Sequence, residues 1–151
     1  MTEIGFYHLT RTPLERALPK LLEKVLGAGK RAVVRAGSPE RVDFLNNALW
    51  TYEPASFLPH GTAKEGEEAS QPVWLTSDDE NPNGAHILVL TESVTAGDVG
   101  DFERCLEIFD GRDQQAVDAA RARWSGYKES GHPLTYWQQT ESGGWEKKAD
   151  S

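Results

Sequence analysis

Two cycles of short apolar run, amphipathic helix and stop signal fill residues 4–49, and that repetition limits the fold more than any other feature. Ile4 to Leu9 is an apolar and aromatic run of strand length. Pro13 suits the first turn of a helix. Leu14, Leu18, Leu21, Leu22 and Val25 then recur at helical spacing until Gly27 and Gly29 end the pattern. Arg31 to Ala36, carrying Ala32, Val33 and Val34, reads as a buried strand. Ser38 reads as the N-cap of a helix running through Val42, Leu45 and Leu49. Such an opening predicts an α/β layer fold on a parallel sheet, with a right-handed crossover between its first two strands.

The remaining chain fits that plan with fewer signals. Residues 53–72 are rich in Pro, Gly and Glu apart from SFLPHG, and predict a long surface loop. Val73 to Thr76 and Ile87 to Leu90 predict strands separated by the turn-rich DDENPNG, and Arg104 to Phe109 predicts the last strand. Asp113 opens an Ala-rich helix reaching about Glu129, stopped by Gly131 and Pro133. The polar tail PLTYWQQTESGGWEKKADS is expected to lie across the body, partly flexible from about residue 140 onward. There is no internal repeat. With 151 residues, the chain is expected to form one α/β domain over residues 1–151.

Charge narrows the function. The chain carries 16 basic against 24 acidic residues, a net charge of −8. Proteins that grip duplex DNA through phosphates draw most of that affinity from clustered Lys and Arg. Direct strong DNA binding is therefore not expected, although a local basic patch could hold a short acidic peptide within the ~8–10 Å reach of screened charges. One cysteine, Cys105, excludes an internal disulfide and points to a reducing compartment. The N-terminus has no secretory pattern and no run approaches the ~20 apolar residues of a membrane helix. A cytoplasmic, membrane-free protein is the expectation.

Several motifs invite chemistry and fail on inspection. GAGK at 27–30 lacks the glycine spacing and the Ser or Thr of a phosphate loop, and it follows a helix instead of opening one. Asp79, Asn81, Asn83 and Gly84 begin a calcium-loop pattern whose twelfth position is Leu90, not Glu. His8, His60, His86 and His132 share no ligand spacing, and no GxSxG elbow is present. Cys105 sits in an apolar stretch, the usual place of an inert thiol. No catalytic residue, metal or cofactor is expected.

The most informative segment is the helix after Asp113. Val117, Arg121, Trp124 and Lys128 follow at steps of four, three and four, which aligns them on one stripe. An aliphatic, a guanidinium, an aromatic and an ammonium there describe a groove for a peptide ending in an aromatic residue and a carboxylate. The same residues also fit a core tryptophan flanked by solvated charges. Ala116, Ala120 and Tyr127 form the neighbouring apolar stripe expected to face the sheet. A second cluster, Leu49, Trp50 and Tyr52 with Phe57, Leu58 and Pro59, fits either a partner patch or a loop folded on the sheet.

In order along the chain, FYHL at 6–9, GKRAVV at 29–34, ALW…SFLPHG at 48–61 and QPVWL at 71–75 resemble the chi subunit family of the bacterial DNA polymerase III holoenzyme. FDG at 109–111, ARARW at 120–124, GHPLTYW at 131–137 and the ending GGWEKKA extend the resemblance. It implies a Rossmann-like three-layer α/β sandwich with a mostly parallel sheet and no phosphate-binding loop. It also implies a non-catalytic adaptor linking the clamp loader to single-stranded-DNA-binding protein by holding its acidic C-terminal tail. By that resemblance Arg121 and Trp124 match the tail site, bordered by Val117 and Lys128. Val117 and Ser125 stand where basic residues occur in some members. Trp50 and Phe57 match the patch for the psi subunit or a helicase partner. The rival readings are a small α/β enzyme or nucleotide-binding protein, and a direct single-strand binder.

Overall fold

The computed structural model describes residues 2–51, 60–62, 68–78, 80–91, 99–100, 102–142 and 144–150. The first two cycles appear as expected: β1 (Glu3–Leu9), α1 (Leu14–Gly27), β2 (Ala32–Arg35) and α2 (Pro39–Thr51). After them come β3 (Val73–Thr76), β4 (Ile87–Thr91), β5 (Arg104–Asp110) and α3 (Gln114–Glu129). Two further strands, β6 (Leu134–Gln139) and β7 (Trp145–Asp150), close the chain. Among the described residues seven strands join one sheet in the order β3-β2-β4-β5-β1-β6-β7, parallel throughout except for the β6–β7 hairpin.

Alternation along the strands divides the interior into two layers. On one face Val34, Leu75, Val89 and Ile108 pack with Leu18 and Leu22 of α1 and Leu45 and Leu49 of α2. On the other, Phe6, Val33, Leu88, Leu90 and Phe109 pack under α3, with Ala120 buried and Ala116 and Tyr127 against them. Every residue of β2, β3 and β4 is buried, as parallel strands covered on both faces require. The α/β three-layer architecture read from the sequence is the one observed.

The glycines of GAGK terminate α1. Gly29 takes a positive φ of 76°, its N–H donates to the Leu26 carbonyl and that of Lys30 to Val25, which is the Schellman closure. The asparagines after β3 are turn residues: Asn81 Oδ1 accepts from the Ala85 N–H at 2.7 Å, and Asn83 Nδ2 donates to the carbonyls of Ala32 and Gln71. Among the described residues no group of His, Cys, Asp and Glu is placed to hold a metal ion. Cys105 is fully buried, and burial pushes its thiol pKa well up. Among them too, no helix is long and apolar enough to cross a membrane.

Two expectations need correction. Arg104–Asp110 is not the last strand but sits between β4 and β1, because the tail supplies two strands beyond it. Tail aromatics anchor them: Trp137 stacks on Tyr7 at 6.2 Å and Trp145 meets the same ring edge-on at 5.1 Å. The 53–72 stretch is not surface loop throughout. His60, Gly61 and Thr62 are buried, and Gly61 pairs with Trp74 beside β3.

Candidate functional site

α3 is fixed at both ends and from beneath. Asp113 caps it, accepting from the Gln115 N–H at 3.0 Å. Gly131, at φ 86°, closes it by the same Schellman pattern as α1. From β5 the buried Glu107 accepts from Arg123 Nε at 2.9 Å and from the Tyr127 hydroxyl at 2.8 Å. This anchoring turns the next residues of the helix, Arg121 and Trp124, toward the edge of the sheet.

There a groove of about 450 Å³ opens between α3 and the strands β1, β5 and β6. Val117, Arg121 and Trp124 form its helical side, while Phe6, His8 and Tyr136 lie opposite. Trp124 is half-buried, with Phe6 at 5.4 Å and Tyr136 at 6.2 Å, both edge-on. It is therefore a wall of the groove resting on the core. Arg121 is exposed at the rim. Lys128 is exposed and lies outside the lining residues, so the stripe runs farther than the groove.

The floor is polar at one point. His8 Nδ1 and the Tyr136 hydroxyl are hydrogen-bonded to each other. Burial holds the His8 imidazole below its ordinary pKa, against the pull of Asp110. Gly111 makes room for that ring: a Cβ there would lie 1.7 Å from His8 Nε2 and 2.8 Å from the Leu9 carbonyl oxygen. Gly111→Ala is expected to displace His8, break its bond to Tyr136 and cost about 1–3 kcal/mol of stability through overpacking. Urea unfolding measures the loss, and an unchanged midpoint would refute the close packing.

Stripe analysis of α3 alone misses His8, Tyr136, Phe6 and Phe109. Their signal lay in the short segments FYHL, FDG and TYW, each of which supplies groove residues or the glycine beneath them. The second candidate patch is on the opposite side of the sheet. Trp50, on α2, is 51% exposed and packs on the His60 ring at 4.7 Å. Phe57 lies outside the described residues. Phe44, on the same helix, is also exposed, with the Arg41 guanidinium 4.3 Å above its ring.

A family model described as DNA polymerase III chi subunit, HolC, matches residues 1–135. This chain belongs to that family. A protein of Pseudomonas aeruginosa named DNA polymerase III subunit chi is 28% identical over 138 residues, covering 89% of this chain and 94% of its own length. A protein of Rickettsia prowazekii named probable DNA polymerase III subunit chi is 27% identical over 109 residues, 72% of this chain. The chain spans 66% of that second relative's length.

The position that binds phosphate in dinucleotide folds is occupied here by the chain itself. It is the turn after β1, leading into α1. Gln139 Oε1 accepts from the N–H groups of Thr10, Arg11 and Thr12 at 3.2, 2.8 and 3.1 Å. Its Nε2 donates to Thr12 Oγ1 at 2.7 Å. A smaller cavity of about 290 Å³ nearby, at the carboxyl ends of β1 and β5, is bordered by the Asp110–Arg112 ion pair at 3.1 Å and by Glu15 and Asp113. Arg41 and Arg112 share that lining with three carboxylates, so the cavity has no excess of positive charge to draw an anion.

Proposed function

We propose that this chain is a non-catalytic, cytoplasmic adaptor of the replisome, acting as one domain. It joins the clamp loader of DNA polymerase III to single-stranded-DNA-binding protein by seating that protein's acidic C-terminal tail in the α3 groove. The observation that carries this reading is a mainly apolar groove with Arg121 at its rim, on a chain whose net charge is −8. The terminal aromatic ring would lie in the groove against Trp124 and Tyr136, and Arg121 would take the carboxylate as a charge-assisted pair. Lys128 adds field from beyond the groove. The Gln139 amide in the turn after β1 argues against the nucleotide-binding alternative.

A short tail burying little area binds at micromolar strength, on the order of −8 kcal/mol. Several tails on one coated strand raise the avidity without new contacts. Calorimetry with a peptide copying the tail is expected to give such affinity, lost when the terminal Phe is removed. Arg121→Ala is expected to weaken it by about 2 kcal/mol, roughly thirtyfold in Kd. Unchanged affinity in that variant would overturn the site. Trp50 and Phe57 are proposed as the contact for psi or a helicase partner, supported by the exposure of Trp50 on the face away from α3.

A further inference from the structure

The groove has a wall that the family match does not reach. The match ends at residue 135, yet Tyr136 and Ala149, both lining the groove, lie beyond it. The β6–β7 hairpin brings them side by side, Tyr136 opposite Ala149. The next pair in register is Trp137 opposite Lys147, so Lys148 is the extra residue of a bulge. Alternation puts Gln138 on the same face as Tyr136, and Glu146 opposite Gln138 shares that face. Lys148 Nζ reaches Glu146 Oε1 at 3.1 Å, which holds the ammonium on the groove side. Lys147, opposite Trp137, belongs to the other face.

We propose that Lys148 is a specificity-determining residue of the groove, taking the acidic residues that precede the terminal aromatic of a bound peptide. This rests on the reading of the groove as an acidic-tail site. Arg121 is the one Lys or Arg among the described lining residues, and a single guanidinium engaged with a terminal carboxylate leaves upstream acidic groups unmatched. Ala149 sets Lys148 next to the groove wall. The Lys148–Glu146 pair is exposed on both sides, so it holds its partners weakly and the ammonium can exchange to a ligand carboxylate.

The test uses the full chain and two synthetic peptides that share a C-terminal phenylalanine, one with aspartates before it and one with asparagines in their place. Lys148→Ala is expected to weaken the aspartate peptide about three- to tenfold at low salt, with the difference fading at high salt. It should leave the asparagine peptide unchanged. Lys147→Ala should leave both unchanged. Both lysines are exposed, so neither substitution threatens the fold. Wild-type affinity in Lys148→Ala, with binding still weakened by Arg121→Ala, overturns the role of Lys148 alone. No binding by the wild-type chain overturns this role together with the groove reading.

Discussion

Arg123→Ala is expected to lower the free energy of unfolding by about 3–5 kcal/mol, the cost of leaving one member of a buried ion pair alone. Glu107 sits in mid-strand, in register with Phe6 on one side and Leu90 on the other, and is 1% exposed. Its carboxylate is tolerated in that apolar layer because Arg123 and Tyr127 bond both oxygens. Burial already pushes the Glu107 pKa up, and Arg123 is the main opposing influence. Without Arg123 the Glu107 pKa rises further. A folded pKa raised above the unfolded one favours folding at low pH and loses that advantage as pH rises through the folded value. The deficit of the variant should therefore be smallest at acid pH and grow toward neutrality. Urea titrations at several pH values measure this. Glu107→Leu combined with Arg123→Met should recover much of the loss, since replacing both charges removes the desolvation cost as well. A single-variant deficit below about 1 kcal/mol would refute the pairing as an anchor of α3.

The elements that fold by local rules were legible in the sequence. Asp113, Gly131 and the apolar repeat of α1 carry their caps and faces in their own spacing, and the structure places those helix ends as expected. Elements that depend on distant partners were not. β6 and β7 form the sheet edge, where most positions remain half-exposed or exposed, so no buried alternation marks them. Their strand state depends on pairing with β1 from the start of the chain, whose Tyr7 both tail tryptophans contact. Glu107 was hidden in a run read as ordinary strand because its partners lie 16 and 20 residues away. The α3 stripe holds three residues that line the groove but runs past its extent. Val117 and Lys128 are about 16 Å apart along the axis. The groove ends sooner because β6 and β7, not the helix, set its length.

Gln139→Ala is expected to cost about 2–4 kcal/mol, from several donors losing one partner at once. The side chain is 5% exposed, and its single oxygen gathers three successive backbone N–H groups of the turn after β1. Its own carbonyl also accepts from Thr10 Oγ1 at 2.9 Å, so β6 and the turn are tied by side chain and main chain together. Thr12 and Gln139 border an open cavity of about 620 Å³, which admits water to part of the vacated site and keeps the cost below the sum of the lost bonds. Gln139→Glu separates the oxygen's role from the amide's. Three N–H donors favour the ionised carboxylate, so its folded pKa should fall below the unfolded value. Stability from that interaction is present above the unfolded pKa, near 4.3, and is lost as pH falls through the folded one. The Glu variant should thus approach wild type at pH 7 and fall behind it in acid, while the Ala variant stays low at both. If Glu proves as unstable as Ala at pH 7, the oxygen is not what holds the turn. With that oxygen in place the N–H groups have no capacity left for a phosphate, so nucleotide or inorganic phosphate should leave the wild-type melting temperature unmoved.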